Sequence, residues 1–223
     1  MKFHYFTSLR MLRSAGAPTR STLALSALLS FSGSLQAQST VRYEAQPGSK
    51  VKVEGTSTLH DWTIESRAVG GFMELDPSFD ADLKTVSTIP KVEVTIPVRQ
   101  LKNPENKPKM DAVMYEHMRQ KEQPTIKYRL LGLTPKAGAS SQFDAKGELT
   151  VAGITRTNSM PVTFERIDPN KIKVKGATPL KMSDFGIQPP ALTIAGIGIK
   201  TGDEVKLNFE WTTAKPEKGA EAK

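Results

Sequence analysis

The chain has 223 residues, 38% hydrophobic and 24% charged, with a formal net charge of +8 and no cysteine. That length suits one well-filled domain, and the missing thiols exclude a disulfide framework, a thiolate metal site and a cysteine nucleophile. Four of the 31 Lys and Arg fall in an acid-free leader, leaving 27 against 23 Asp and Glu, interspersed along strands as a solvated face rather than a nucleic-acid stripe.

The leader carries Lys2, Arg10, Arg13 and Arg20, then a short apolar core from Leu23 to Phe31, then Leu35, Gln36 and Ala37. This predicts a secretory signal over residues 1–37, cleaved after Ala37, with Met1 or Met11 as the start. The apolar core is too short to span a bilayer. A single domain is expected over 38–214 and a disordered tail over 215–223.

A first short strand is predicted over Thr40 to Ala45, and Val51 and Val53 alternate with lysines in a second. Ser57 to Trp62 breaks the alternation as a corner. Thr63 to Leu75 reads as one long strand bent at Gly70 and Gly71, ended by Asp76 and Pro77. From Thr85 the chain returns to a strand in which Val92, Val94, Ile96 and Val98 share a face. One helix is predicted at about Lys109 to Gln120, with Met110, Val113, Met114, His117 and Met118 on one side. Gln123 and Pro124 stop it.

The strand Thr125 to Leu131 puts Ile126, Tyr128 and Leu130 on one face. A hairpin follows from Gly147 to Phe164, where Leu149 and Val151 lead to Ala152 and Gly153, and Met160, Val162 and Phe164 alternate beyond. Without Asn or Asp at 152, a type I turn with left-handed Gly153 and a bulge is expected. Ile172 and Val174 mark another strand, Ile187 to Thr193 reads as irregular through Pro189 and Pro190, and Glu204 to Thr213 is the last strand, with Val205, Leu207, Phe209 and Trp211 aligned. About eight mostly antiparallel strands with one helix must close or stack, predicting a barrel or a sandwich.

Several stretches together resemble the YceI-like family of exported lipid-binding proteins, over about Val41 to Trp211. They are Leu59, His60, Asp61 and Trp62; Ile96 to Leu101; Met110, Asp111 and Met114; Pro124, Thr125 and Ile126; Leu149 to Thr155; and Leu180 to Ile187. The resemblance implies an all-β fold, an extended eight-stranded antiparallel β-barrel of lipocalin-like shape with one short α-helix near its opening. It also implies a polyisoprenoid, an isoprenoid quinone or a similar amphiphilic lipid threaded through the interior, no cofactor, no catalysis, and a periplasmic location. Two places depart from the pattern: Gln123 stands where an aromatic often precedes the proline, and Arg156 to Met160 is longer than usual, which bears on the barrel rim.

The residues expected to line the ligand are Leu59, Trp62, Ile64 and Phe72 from the corner and the strand after it, Val94 and Ile96, and the helix methionines Met110, Met114 and Met118. Ile126, Tyr128, Leu130, Val162, Phe164 and Phe185 complete the set, with His60 and Asp61 as head-group contacts at the rim. Flexible thioethers suit a lid over a variable tail. Ordinary core packing is the competing reading for each, which would make the protein a filled structural or interaction barrel. His60 and Asp61 have no third partner at metal-site spacing. Ser57, His60 and Asp61 supply the residue types of a hydrolase but crowd together within the six-residue corner from Ser57 to Trp62. An outer-membrane barrel is disfavoured by the helix, by Pro90, Pro97 and Pro161 in strand regions, and by the 7% aromatic content. Whether two barrels pair as a homodimer is left open.

Overall fold

The computed structural model describes residues 39–194 and 196–217. The expected signal segment lies outside them, as does most of the expected tail. The chain runs through β1 (Val41–Ala45), β2 (Lys50–Ser57), β3 (Trp62–Ser66), β4 (Gly70–Leu75), α1 (Pro77–Asp82), β5 (Lys91–Pro97), α2 (Pro108–His117) and β6 (Thr125–Pro135). It continues with β7 (Gln142–Val151), β8 (Ile154–Asp168), β9 (Lys171–Lys181), β10 (Ala191–Ile194) and β11 (Ile197–Ala214).

Every strand pairing is antiparallel, and the order β1-β4-β5-β6-β7-β8-β9-β11 closes on itself where Glu44 and Ala45 of β1 meet Ala214 and Thr213 of β11. These eight strands form the closed barrel. The β2–β3 ribbon extends the wall along β11, and its outer edge is joined to the segment after β5 by reciprocal 2.8 Å backbone bonds between Glu65 and Lys102.

Period-two alternation decides the two faces of the wall. In β7, Phe143, Ala145 and Leu149 are buried, and in β8 Met160, Val162 and Phe164 are. The opposite face carries ion pairs such as Arg42–Glu74 at 2.6 Å and Arg129–Glu148 and Lys175–Glu165 at 2.7 Å. Each adds less than about 1 kcal/mol. Their placement is more informative, because an apolar inside and a charged outside is the reverse of a membrane-spanning barrel.

Two apolar clusters divide the interior. At the closed end, Phe79 of α1 meets Phe143 and Phe164 edge-to-face at centroid distances of 5.5 and 5.2 Å, with Tyr43, Leu75 and Leu83 around them. Ile64, Val98, Leu101, Met118, Leu149 and Phe185 cluster at the other end, beneath α2.

Several sequence expectations are corrected here. α1 is a second helix, capped by Asp76, whose carboxylate accepts the Ser78 and Phe79 N–H groups at 3.0 Å, with Pro77 at its first position. β5 consequently begins at Lys91 rather than Thr85. The long strand expected from Thr63 is two, β3 and β4, because the chain breaks at 67–69 and Ser66 Oγ accepts the Ala68 N–H at 3.1 Å. The stretch expected to be irregular contains β10, whose residues pair with a β11 that starts at Ile197 instead of Glu204.

The β7–β8 turn is not the expected bulged type I either. Val151 pairs directly with Ile154, and Ala152 and Gly153 have φ of 49° and 81°. This is a primed two-residue turn, whose twist matches the strands. The strained Ala152 is held by burial and by a hydrogen bond from Arg119 to its carbonyl. The Arg156 to Met160 stretch is part of β8, braced where Arg156 Nε donates to the Asp184 carbonyl at 2.8 Å. Beyond β11, Lys215 is still fixed, donating its backbone N–H to Asn170 at 2.9 Å.

Candidate functional site

α2 sits at the mouth because its connections are tied to the wall. Asn103 gives its side-chain N–H to the Thr63 carbonyl at 3.0 Å, Asp111 accepts the Asn103 N–H at 2.8 Å, and Tyr115 Oη donates to the Leu101 carbonyl at 2.8 Å. The helix therefore presents Met110, Val113, Met114, His117 and Met118 to a cavity of about 900 Å³, the face read from their spacing.

Deeper in the barrel lies a second compartment of about 100 Å³, walled by residues of the closed-end cluster and by Tyr128, Leu130, Phe209 and Trp211. Val51, Ile96, Ile126, Leu149 and Leu207 line both spaces. The five make an apolar throat between an outer chamber and an inner one, both walled mainly by apolar side chains.

Of the predicted lining residues, Leu59, Trp62, Ile64, Met110, Met114, Met118 and Phe185 stand in the outer wall, Ile96 and Ile126 at the throat, and Val94, Tyr128, Leu130, Val162 and Phe164 inside. Phe72 is elsewhere. Its neighbour Met73 takes the inward position of β4, leaving Phe72 outside under the Arg42 guanidinium, 3.9 Å from the ring centroid. His60 lines the mouth, whereas Asp61 is exposed beside it and is not part of the wall.

The lining residues missed from sequence include Val205, Leu207, Phe209 and Trp211 of β11 and Leu192 and Ile199 of the β10–β11 hairpin. The first four carried the same alternation as the chosen strands. The hairpin was hidden by Pro189 and Pro190, which break local periodicity without preventing a strand one residue later.

The corner geometry bears on hydrolysis. Ser57 Oγ donates to the His60 carbonyl at 2.7 Å and accepts the His60 N–H at 3.2 Å, while His60 Nδ1 contacts the Asp61 carbonyl at 2.7 Å. These are turn contacts to backbone, and no side chain of the three passes a proton to another. Among the described residues no group of three or more His, Asp or Glu gathers where a metal could bind.

Inside, Tyr128 Oη, Trp211 Nε1 and the Asn158 amide have no hydrogen-bond partner among the described residues. Burial pushes the Tyr128 phenol up to about 12. Its hydroxyl lies over Gly147, where an added Cβ would approach to 2.3 Å, so the glycine makes room for the ring.

A closed antiparallel barrel with an apolar lumen open beneath a methionine-bearing helix is a lipocalin-like barrel. The model of the YceI-like domain matches residues 34–213, and the chain belongs to that family. BcnA of Burkholderia cenocepacia superposes with a TM-score of 0.59 at 18% identity, covering 74% of this chain and 95% of its own. A polyisoprenoid binding domain from Saccharophagus degradans, implicated in plant cell wall breakdown, gives 0.58 at 11% identity over 80% of this chain and 100% of its own. The Campylobacter jejuni YceI protein gives 0.52 at 18% identity, covering 69% and 85%. No curated protein matches in sequence.

Proposed function

We propose that this protein is a non-catalytic carrier or store for a long polyisoprenoid or similar amphiphile, working in the periplasm after export over a cleavable signal at residues 1–37. The observation that carries the reading is the two-chambered apolar lumen, about 900 Å³ outside the throat and about 100 Å³ within. Pockets of several hundred Å³ with apolar walls accommodate lipid-sized ligands. Burying one methylene is worth about 0.8 kcal/mol, so a few isoprene units reach micromolar affinity after the costs of association. The name of the Saccharophagus domain and the family membership support the same ligand class.

A filled structural barrel predicts side chains in place of the outer chamber, and a hydrolase predicts a proton relay at the corner. Native mass spectrometry of the purified protein beside an organic extract tests the proposal. One bound amphiphile of defined mass is the expected result, and a protein that is empty and takes up no long isoprenoid when offered one overturns it.

A further inference from the structure

Resting on the lumen as a lipid site, we infer that the mouth selects an amphiphile whose head group is an anion, a phosphate monoester or a carboxylate, rather than a neutral alcohol. With the tail in the lumen the head must sit at the opening. The titratable side chains that line that opening are His60, Lys107, Lys109, His117 and Lys181, and no Asp or Glu is among the lining residues. They come from four places, the β2–β3 corner, the start of α2, its end, and the end of β9, and all line the one cavity.

The nearby carboxylates cancel this charge only in part, and Asp61 stands exposed next to His60. Glu105 is committed to Lys107 at 2.6 Å. Asp111 turns inward to the Asn103 N–H, and Asp203 accepts the Ser183 N–H and Oγ–H at 2.8 and 2.5 Å, leaving its field rather than a direct contact on Lys181. Lys109 and Lys181 make no ion pair among the described residues. Both histidines direct Nδ1 at a backbone carbonyl, His60 at Asp61 at 2.7 Å and His117 at Gln188 at 2.9 Å, so each Nε2 donates to an anion only from the protonated ring, and the standing charge at the mouth rests on Lys109 and Lys181. Bases at the edge of a low-dielectric cleft focus their field there, and charge-assisted hydrogen bonds to phosphate or carboxylate are the strong ones.

The test measures binding of a polyisoprenyl phosphate and of the polyisoprenol with the same tail to the full chain, by the change in fluorescence of Trp62 at the mouth and Trp211 in the inner chamber. The phosphate is expected to bind at least about tenfold more tightly, with the advantage shrinking as salt is raised. The double variant Lys109→Ala/Lys181→Ala changes two exposed side chains. It should remove most of that advantage, read as the ratio of the two lipids' affinities. Equal affinity of the wild type for both lipids overturns the inference while the lumen reading stands, and failure of both lipids to bind overturns the lumen reading itself. Inorganic phosphate that competes as well as the lipid phosphate would make this a free-anion site and overturn the head-group assignment. So would charge-dependent adsorption to phosphatidylglycerol vesicles without any head-group preference, which would make the basic rim a membrane-docking surface.

Discussion

Asp80 holds the closed end together through three donors on one carboxylate: Tyr43 Oη at 2.6 Å, Arg166 at 3.0 Å and Lys215 at 3.1 Å. Burial alone would raise its pKa, but the hydrogen bonds from Tyr43, Lys215 and Arg166 outweigh burial and hold it below the ordinary 3.8. A carboxylate with a depressed folded pKa stabilises the fold above its unfolded pKa and loses that contribution as pH falls through the folded value. Asp80→Asn is therefore expected to cost about 2 kcal/mol at neutral pH. The gap to wild type in urea midpoint should narrow below pH 3.8. The opposite sign holds for Tyr128, whose raised pKa favours the folded state below pH 10, a contribution lost as pH rises toward about 12. Its hydroxyl is unpaired, so Tyr128→Phe should leave stability unchanged or raise it by up to about 1 kcal/mol at pH 7, and should flatten the alkaline loss. A urea midpoint that drops at pH 7 would show that the hydroxyl has a partner.

The β7–β8 turn and α1 show how much an element depends on its surroundings. Gly153 has φ +81°, and an added Cβ would meet the Gln123 side chain at 2.9 Å. Gly153→Val should cost about 2 kcal/mol or more in denaturant midpoint, combining left-handed backbone strain with that collision. Gln123, the departure from the family pattern, thus packs where the turn needs a side chain without bulk of its own. α1 is six residues long and could not stand alone. It persists because Phe79 is completely buried against two other rings. Phe79→Ala should cost about 3–5 kcal/mol, read as a lower midpoint with the slope of the transition unchanged.

At the scale of the whole molecule, the throat sets how far a tail can reach. Ile126 lines both chambers, so Ile126→Trp should obstruct the passage between them while leaving the mouth in place. Losing even two buried methylenes weakens binding by about tenfold. A long polyisoprenol should lose about that much in a fluorescence titration, whereas geraniol, short enough for the outer chamber, should lose less. An equal loss for both would mean that the chambers do not act in series.

The sequence by itself determined which face of each regular strand is apolar, the helix that carries Met110, Met114 and Met118, and the corner at Ser57 to Trp62, because these follow from local periodicity and turn chemistry. The family resemblance supplied closure, which alternation leaves open between barrel and sandwich. Only the tertiary structure decided the rest. Phe72 is as apolar as Met73, and it took the pairing register with β1 and β5 to turn Met73 inward and leave Phe72 under Arg42. Asp76 and Pro77 read in sequence only as the end of a strand, because six residues carry too few turns for a periodic signal, and burial of Phe79 made the helix. The division of the lumen into two chambers and the group of bases at its mouth join residues from distant parts of the chain, and such neighbours exist only once the barrel has closed.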